Sequence, residues 1–167
     1  MADLAERPLR PDTFPVSASA HIAAPPERVY GIIADYIGGH PRILPPRYFR
    51  DLVVTRGGYG AGTGIEFTAV VGGRSERIAA TITEPVPGRV LVETPHSGAF
   101  VTTFRVEPAA GGADVTISTE FPRRPGLRAA LERWISGIVL PRIFREELER
   151  LGDVARTDPG PDRRPVE

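Results

Sequence analysis

Cysteine and lysine are both missing from this chain. None of the 167 residues is cysteine, and all 21 Lys+Arg positions are arginine. Without cysteine there is no disulfide framework, no thiolate nucleophile and no cysteine-ligated zinc or iron–sulfur site. Without lysine there is no Schiff-base amine and no P-loop lysine. The arginine bias accompanies a high alanine, glycine and proline content, as expected from a GC-rich coding sequence. Long apolar runs are also lacking: nothing reaches the ~18 residues of a spanning helix, and Met1 to Pro15 holds no stretch suited to a signal peptide. We therefore expect a cytoplasmic protein with no membrane insertion. Neither sign of charge is in excess. A formal net charge of zero and a pI of about 6.9 supply no basic stripe to neutralise phosphates, so no nucleic-acid partner is expected. His21, His40 and His96 lie far apart and fit no metal-ligand spacing, so no metal and no cofactor is expected either.

What is present reads as one globular domain. The length suits a single core, and 41% hydrophobic with 25% charged residues is ordinary for a folded protein. Residues 1–15 mix charge and proline and are expected to form a flexible arm. Residues 155–167 do so more strongly and are expected to be a disordered tail. The domain is then 16–154.

Within it, Val16, Ala18, Ala20 and Ile22 alternate with Ser17, Ser19 and His21, the period of a half-buried strand. AAPPERVYGIIADYI follows as a helix, with Pro26 and Glu27 suited to its first turn and Val29, Ile32, Ile33 and Tyr36 as its apolar stripe. HPRIL adds a short second helix before Pro45 and Pro46. From Tyr48 to Phe121 β-branched runs recur between turn residues, which predicts strands near 48–55, 64–72, 74–84, 89–94, 99–107 and 113–121. The alternation leaves the facing of 48–55 and 89–94 undecided. From Pro125 to about Val154 apolar residues recur at three and four, which predicts one long helix of roughly 45 Å, kinked at Pro141. The dry face of the sheet needs a cover and the helix needs a partner, so each should bury the other.

The glycine-rich RGGYGAG does not fit a dinucleotide fingerprint and leads into a strand, so it offers no helix N-terminus to a phosphate. It reads as hairpin chemistry, its glycines supplying positive φ in a tight turn. No Ser-His-Asp pattern, nucleophile elbow or declared pair of carboxylates is visible.

HIAAPPERVYGIIADY, RGGYGAGTGIEF, TITEPVPGRVLVET and TTFRVEPAAGGADVTIST together resemble the START/Bet v 1-like superfamily. More narrowly they resemble its bacterial polyketide cyclase/dehydrase-type SRPBCC members. The resemblance implies an α+β helix-grip fold: a seven-stranded curved antiparallel sheet wrapped around a long C-terminal helix, with two short helices after the first strand. It also implies a cavity between sheet and helix. Combined with the strand alternation and the helix stripe, that gives a ligand-binding wall of Phe67, Ala69, Ile78, Ala80, Ile82, Phe100, Thr102, Phe104, Ile117, Thr119, Leu131, Trp134 and Ile138.

His40 and His96 fall in loops that the family places near the pocket mouth, and either is a candidate general base. Tyr48 and Arg50 share parity with Leu52 and Val54, which makes them candidates to bring polar groups inward. Glu84 shares parity with Ile82, or else ties down the turn at Pro85. Arg142 is an anion anchor if it faces inward. Three functions follow as alternatives. The first is binding of a small hydrophobic ligand that is lipid-, aromatic- or polyketide-like. The second is a cyclase, aromatase or dehydratase working without metal or nucleotide. The third is a protein–protein module. A monomer or homodimer is expected.

Overall fold

The computed structural model describes residues 13–123 and 137–157 in full, and the backbone of 127–136. Strand β1 (Thr13–Ile22) leads into α1 (Pro26–Ala34) and the single turn α2 (His40–Ile43). Six strands follow: β2 (Phe49–Arg56), β3 (Gly64–Val71), β4 (Arg74–Val86), β5 (Val90–Pro95), β6 (Val101–Ala109) and β7 (Gly112–Pro122). Helix α3 (Leu127–Thr157) completes the described chain. The strands form one antiparallel sheet in the order β1-β7-β6-β5-β4-β3-β2, so a meander from β2 to β7 is extended by β1 pairing with β7. This curved sheet with its C-terminal helix is the helix-grip arrangement.

Alternation fixes which face is dry, and the register joins the strands into one surface. Phe67 lies opposite Ile78 and Ile65 opposite Ala80. Thr102, Phe104 and Val106 lie opposite Thr119, Ile117 and Val115. Cross-strand neighbours of this kind are the unit of sheet stability, and each large aliphatic group fully buried contributes ~1.5–3 kcal/mol. Helix α3 lies against β1, α1 and α2, burying Ile143, Phe144, Leu148 and Leu151. It runs unbroken past Pro141.

The ends of the domain differ from expectation. Residues 13–15, assigned to the arm, extend β1, and 155–157, assigned to the tail, extend α3. Phe14 and Ala155 explain both extensions, since one packs against the core and the other is buried in it. The remainder of both termini lies outside the described residues. Strand β2 starts at Phe49 and carries register shifts between Arg50 and Val53 and between Val54 and Arg56. Asp51 there adopts φ 55°, the left-handed region that Asp tolerates better than most residues. These bulges break the period of two, which is why the text of that strand did not alternate.

The link between α1 and α2 sets up one important side chain. Asp35 accepts hydrogen bonds from the amides of Ile37 and Gly38, both at 3.0 Å, and so turns the chain. Gly39 then passes so close to α1 that a Cβ there would stand 2.4 Å from the Ile32 carbonyl oxygen. Only glycine allows that approach, and it brings His40 into the interior at the start of α2. Among the described residues no helix is long and apolar enough to cross a membrane.

The grip of α3 on the sheet is testable. Leu151→Ala should lower unfolding free energy by ~2–5 kcal/mol in urea titrations. Ile138→Ala, at a position 40% exposed, should change it by less than about 0.5 kcal/mol.

Candidate functional site

Helix α3 does not pack directly on the whole dry face, and the space left between them is a cavity of about 530 Å³. That is within the ~300–1,000 Å³ usual for small-molecule sites. Its walls come from β2, β3, β4, β6 and β7 on one side and from α3 on the other, through Val139, Leu140, Ile143 and Phe144. At one end Phe121 stacks on Phe14 with centroids 5.2 Å apart and meets Phe100 at 5.8 Å. At another, Phe49 and Phe67 pack edge to face at 5.9 Å. These rings give the cavity an apolar lining with defined shape.

Seven of the residues expected on the wall stand there: Phe67, Ala69, Ile78, Phe100, Thr102, Phe104 and Thr119. Ala80, Ile82 and Ile117 are buried in the packed core and do not reach the cavity. Ile138 faces away and is 40% exposed, because α3 turns its other side to the sheet. The side chains of Leu131 and Trp134 lie outside the described residues.

Of the four catalytic candidates, only His40 lines the cavity. His96 is exposed beyond β5, its Nε2 3.0 Å from the Thr81 hydroxyl and its amide donating to the Ala79 carbonyl. Tyr48 is half-buried, with the Arg47 guanidinium 4.7 Å above its ring. Arg50 points to solvent, because the bulge after it returns Leu52, not Arg50, to the inner side. Arg142 is exposed among other charges of α3, and His21 pairs at the surface with Asp114 at 2.9 Å.

Glu84 neither lines the cavity nor ties the turn at Pro85 but joins α1 to the glycine-rich loop. It accepts from the Tyr30 hydroxyl at 2.5 Å and from the Ala61 amide at 2.7 Å. Burial, with the Glu84 carboxylate beside it, pushes the Tyr30 phenol well above its ordinary range, so the hydroxyl stays a donor. Gly60, at φ 59°, passes so close that a Cβ would sit 2.4 Å from the Glu84 carboxylate.

The polar end of the cavity is built from three elements. His40 comes from α2, Glu93 from β5 and Glu147 from α3, and all three line the space. Neither glutamate was among the sequence candidates, although signals existed. Glu93 shares parity with fully buried Leu91, and Glu147 sits on the α3 stripe between Phe144 and Leu151. Behind them Tyr36 stacks on His40 at 4.4 Å and donates its hydroxyl to Glu93 Oε1 at 2.6 Å. His40 Nδ1 is 2.7 Å from the Ile33 carbonyl, which can only accept, so Nδ1 carries the proton. Its Nε2 stands 3.6 Å from Glu93 Oε1. Thr102 and Thr119 join their hydroxyls at 2.8 Å on the wall, one donating to the other.

Burial governs the protonation states. It pushes the His40 imidazole down from 6.5, against the Glu93 charge that pulls it up. It pushes the Glu147 carboxyl well above 4.5, and Glu93 adds to that. The Tyr36 phenol is likewise raised by burial and then by Glu93. Glu147 Oε1 has no hydrogen-bond partner. Among the described residues no group of three or more His, Cys, Asp or Glu side chains is arranged to hold a metal ion.

Comparison with known proteins finds this architecture elsewhere. The family described as polyketide cyclase/dehydrase and lipid transport matches residues 13–156. The KanY protein, solved by NMR, is 27% identical with a TM-score of 0.76, over 86% of this chain and 98% of that one. TTHA0849 from Thermus thermophilus is 23% identical with a TM-score of 0.69, over 86% and 97% of the two chains. Norcoclaurine synthase from Thalictrum flavum is 15% identical with a TM-score of 0.66, over 86% and 87%. The last two are similar in fold alone. A search among curated proteins gave no match.

The raised carboxyl of Glu147 has a consequence for stability. Its folded pKa exceeds the unfolded 4.5, so the fold incurs no titration cost from this group below pH 4.5 and loses stability as pH rises toward the folded value. Glu147→Gln removes this loss. Melting temperatures measured from pH 4 to 8 should show the variant gaining on the parent as pH rises above 4.5. A difference independent of pH would mean that Glu147 titrates alike in both states.

Proposed function

The chain belongs to the family of polyketide cyclase/dehydrase and lipid-transport proteins, and on that premise we propose that its cavity binds a small hydrophobic molecule between the sheet and α3. One observation carries this reading: about 530 Å³ of space walled by phenylalanine and aliphatic side chains from both layers. A cavity of that size forgoes the dispersion contacts that would fill a packed core, so retaining it favours a guest that restores them. The ligand is lipid-, aromatic- or polyketide-like in its apolar body, and its uptake needs no metal or nucleotide. The protein acts in the cytoplasm as a monomer or homodimer on this reading.

The polar end favours a second reading, that of a cyclase or dehydratase. A neutral imidazole and a protonated carboxyl sharing one apolar space are suited to accept and to donate a proton. His40 Nε2 would take a proton from an activated carbon, and Glu147 would give one to a departing hydroxyl or an enolising carbonyl. Holding a reactive chain in a fixed fold supplies the remaining part of such catalysis.

Native mass spectrometry of the freshly purified chain tests the first reading, together with titration by an apolar fluorescent probe. We expect one bound molecule per chain, or stoichiometric uptake of the probe with a rise in melting temperature. Ala69→Trp, which fills the space from β3, should abolish that uptake. An empty protein that takes up no probe would refute the reading.

A further inference from the structure

We propose that the polar end of the cavity recognises a cationic amine, an ammonium group on an apolar body, seated among Glu147, Glu93 and His40. The inference rests on the reading of the cavity as a ligand site and names the headgroup that site selects.

The argument is one of donors and acceptors. His40 Nδ1 is committed to the Ile33 carbonyl, so the neutral ring turns an acceptor, Nε2, toward Glu93 at 3.6 Å. Glu93 offers carboxylate oxygens, one of them already receiving the Tyr36 hydroxyl. Glu147 is 2% exposed, lines the cavity, and leaves Oε1 without any partner. A buried carboxyl oxygen left in that state is disfavoured unless a ligand supplies the missing bond. Three acceptor groups from three elements thus meet in one apolar space. Among the described residues of the cavity wall, Arg74 provides the guanidinium, and it is exposed at the β3–β4 hairpin near Glu76.

Other headgroups fit less well. A carboxylate or phosphate would bring negative charge against Glu93 and could use only the single proton of Glu147. A carbonyl would find one donor, the protonated Glu147, and would face the lone pairs of Nε2 and Glu93. An ammonium has three N–H donors and a charge that both carboxylates favour.

Protons balance simply. Free Glu147 is held protonated by burial and by Glu93, and the incoming cation reverses both effects. The amine keeps its three protons, Glu147 gives up its own, and that proton passes to the buffer. Affinity should therefore rise with pH through the range in which free Glu147 titrates, level off above it, and fall once the amine itself deprotonates, at roughly pH 10. The other titratable groups facing Glu147 act in the same direction or not at all. His40 becomes positive only in acid, where it opposes the cation, Glu93 is the neighbouring carboxyl group, and the Tyr36 phenol stays protonated.

Isothermal titration of the full chain decides the matter, using octylamine, 1-octanol and octanoate at pH 7.5 in two buffers of different ionisation enthalpy. Octylamine should bind roughly tenfold or more tightly than octanol and release a proton, while octanoate binds weakest. Glu147→Gln should lose both the amine preference and the proton release while still binding octanol, which also shows the variant to be folded. An amine no tighter than the alcohol, or a preference that survives Glu147→Gln, overturns the inference and leaves the cavity reading standing. If none of the three probes binds, that reading falls and the inference with it.

Discussion

The structure depends on a mismatch of widths. Seven strands at ~4.8 Å spacing make a sheet near 30 Å across, while a helix with its side chains is ~10–12 Å thick. Helix α3 can seal only a strip of the dry face, and the short α1 and α2 cover another part. Where β1 lies against α3, and where α1 packs beneath the sheet, the interior is closed by residues such as Val29, Ile33, Leu148 and Leu151. Over the remainder the curved sheet stands off from α3, and there the cavity opens between the two. Its sheet-side wall is the same alternating face that forms the core, continued to where α3 no longer packs directly on it.

Polarity inside such a space is costly unless it is matched, and most of it is. Tyr36 serves Glu93, the Ile33 carbonyl serves His40, and Thr102 serves Thr119. Glu147 is the exception, with an oxygen lacking a partner that costs ~1–3 kcal/mol. A stable core would place an aliphatic residue there, as α3 does one turn on at Leu151. The acid is therefore carried against stability, at a place where a bound cation would reverse the cost. The two ends of the cavity thus divide the work, with aromatic rings shaping one and acceptors of mixed protonation setting the other.

The fold was largely legible because its signals are local. Strands β3, β6 and β7 alternate cleanly, the α3 stripe repeats at three and four, and the hairpin texts are family-like. Harder to see were features made by distant pairing. The bulges of β2 hid its facing, so Arg50 looked inward when it is not. Glu93 was missed because its strand is buried on both sides at Val90, Leu91 and Val92, which erases alternation. Glu147 carries a charge that the apolar stripe of α3 does not count, although its spacing from Phe144 and Leu151 puts it on the apolar face. His40 was chosen on resemblance, while its place in the cavity is the work of Asp35 and Gly39 next to α1. Separating core from wall was beyond periodicity, since Ile82 and Ile78 share one face of β4 and only Ile78 borders the space.

That separation is the central claim, and methyl NMR tests it most directly. An apolar probe titrated into labelled protein should shift the signals of Ile78, Leu140 and Ile143 while leaving Val106, Val115 and Leu151 in place. Shifts confined to the exposed side chains Ile37 and Val53, or none at the wall, would contradict the account.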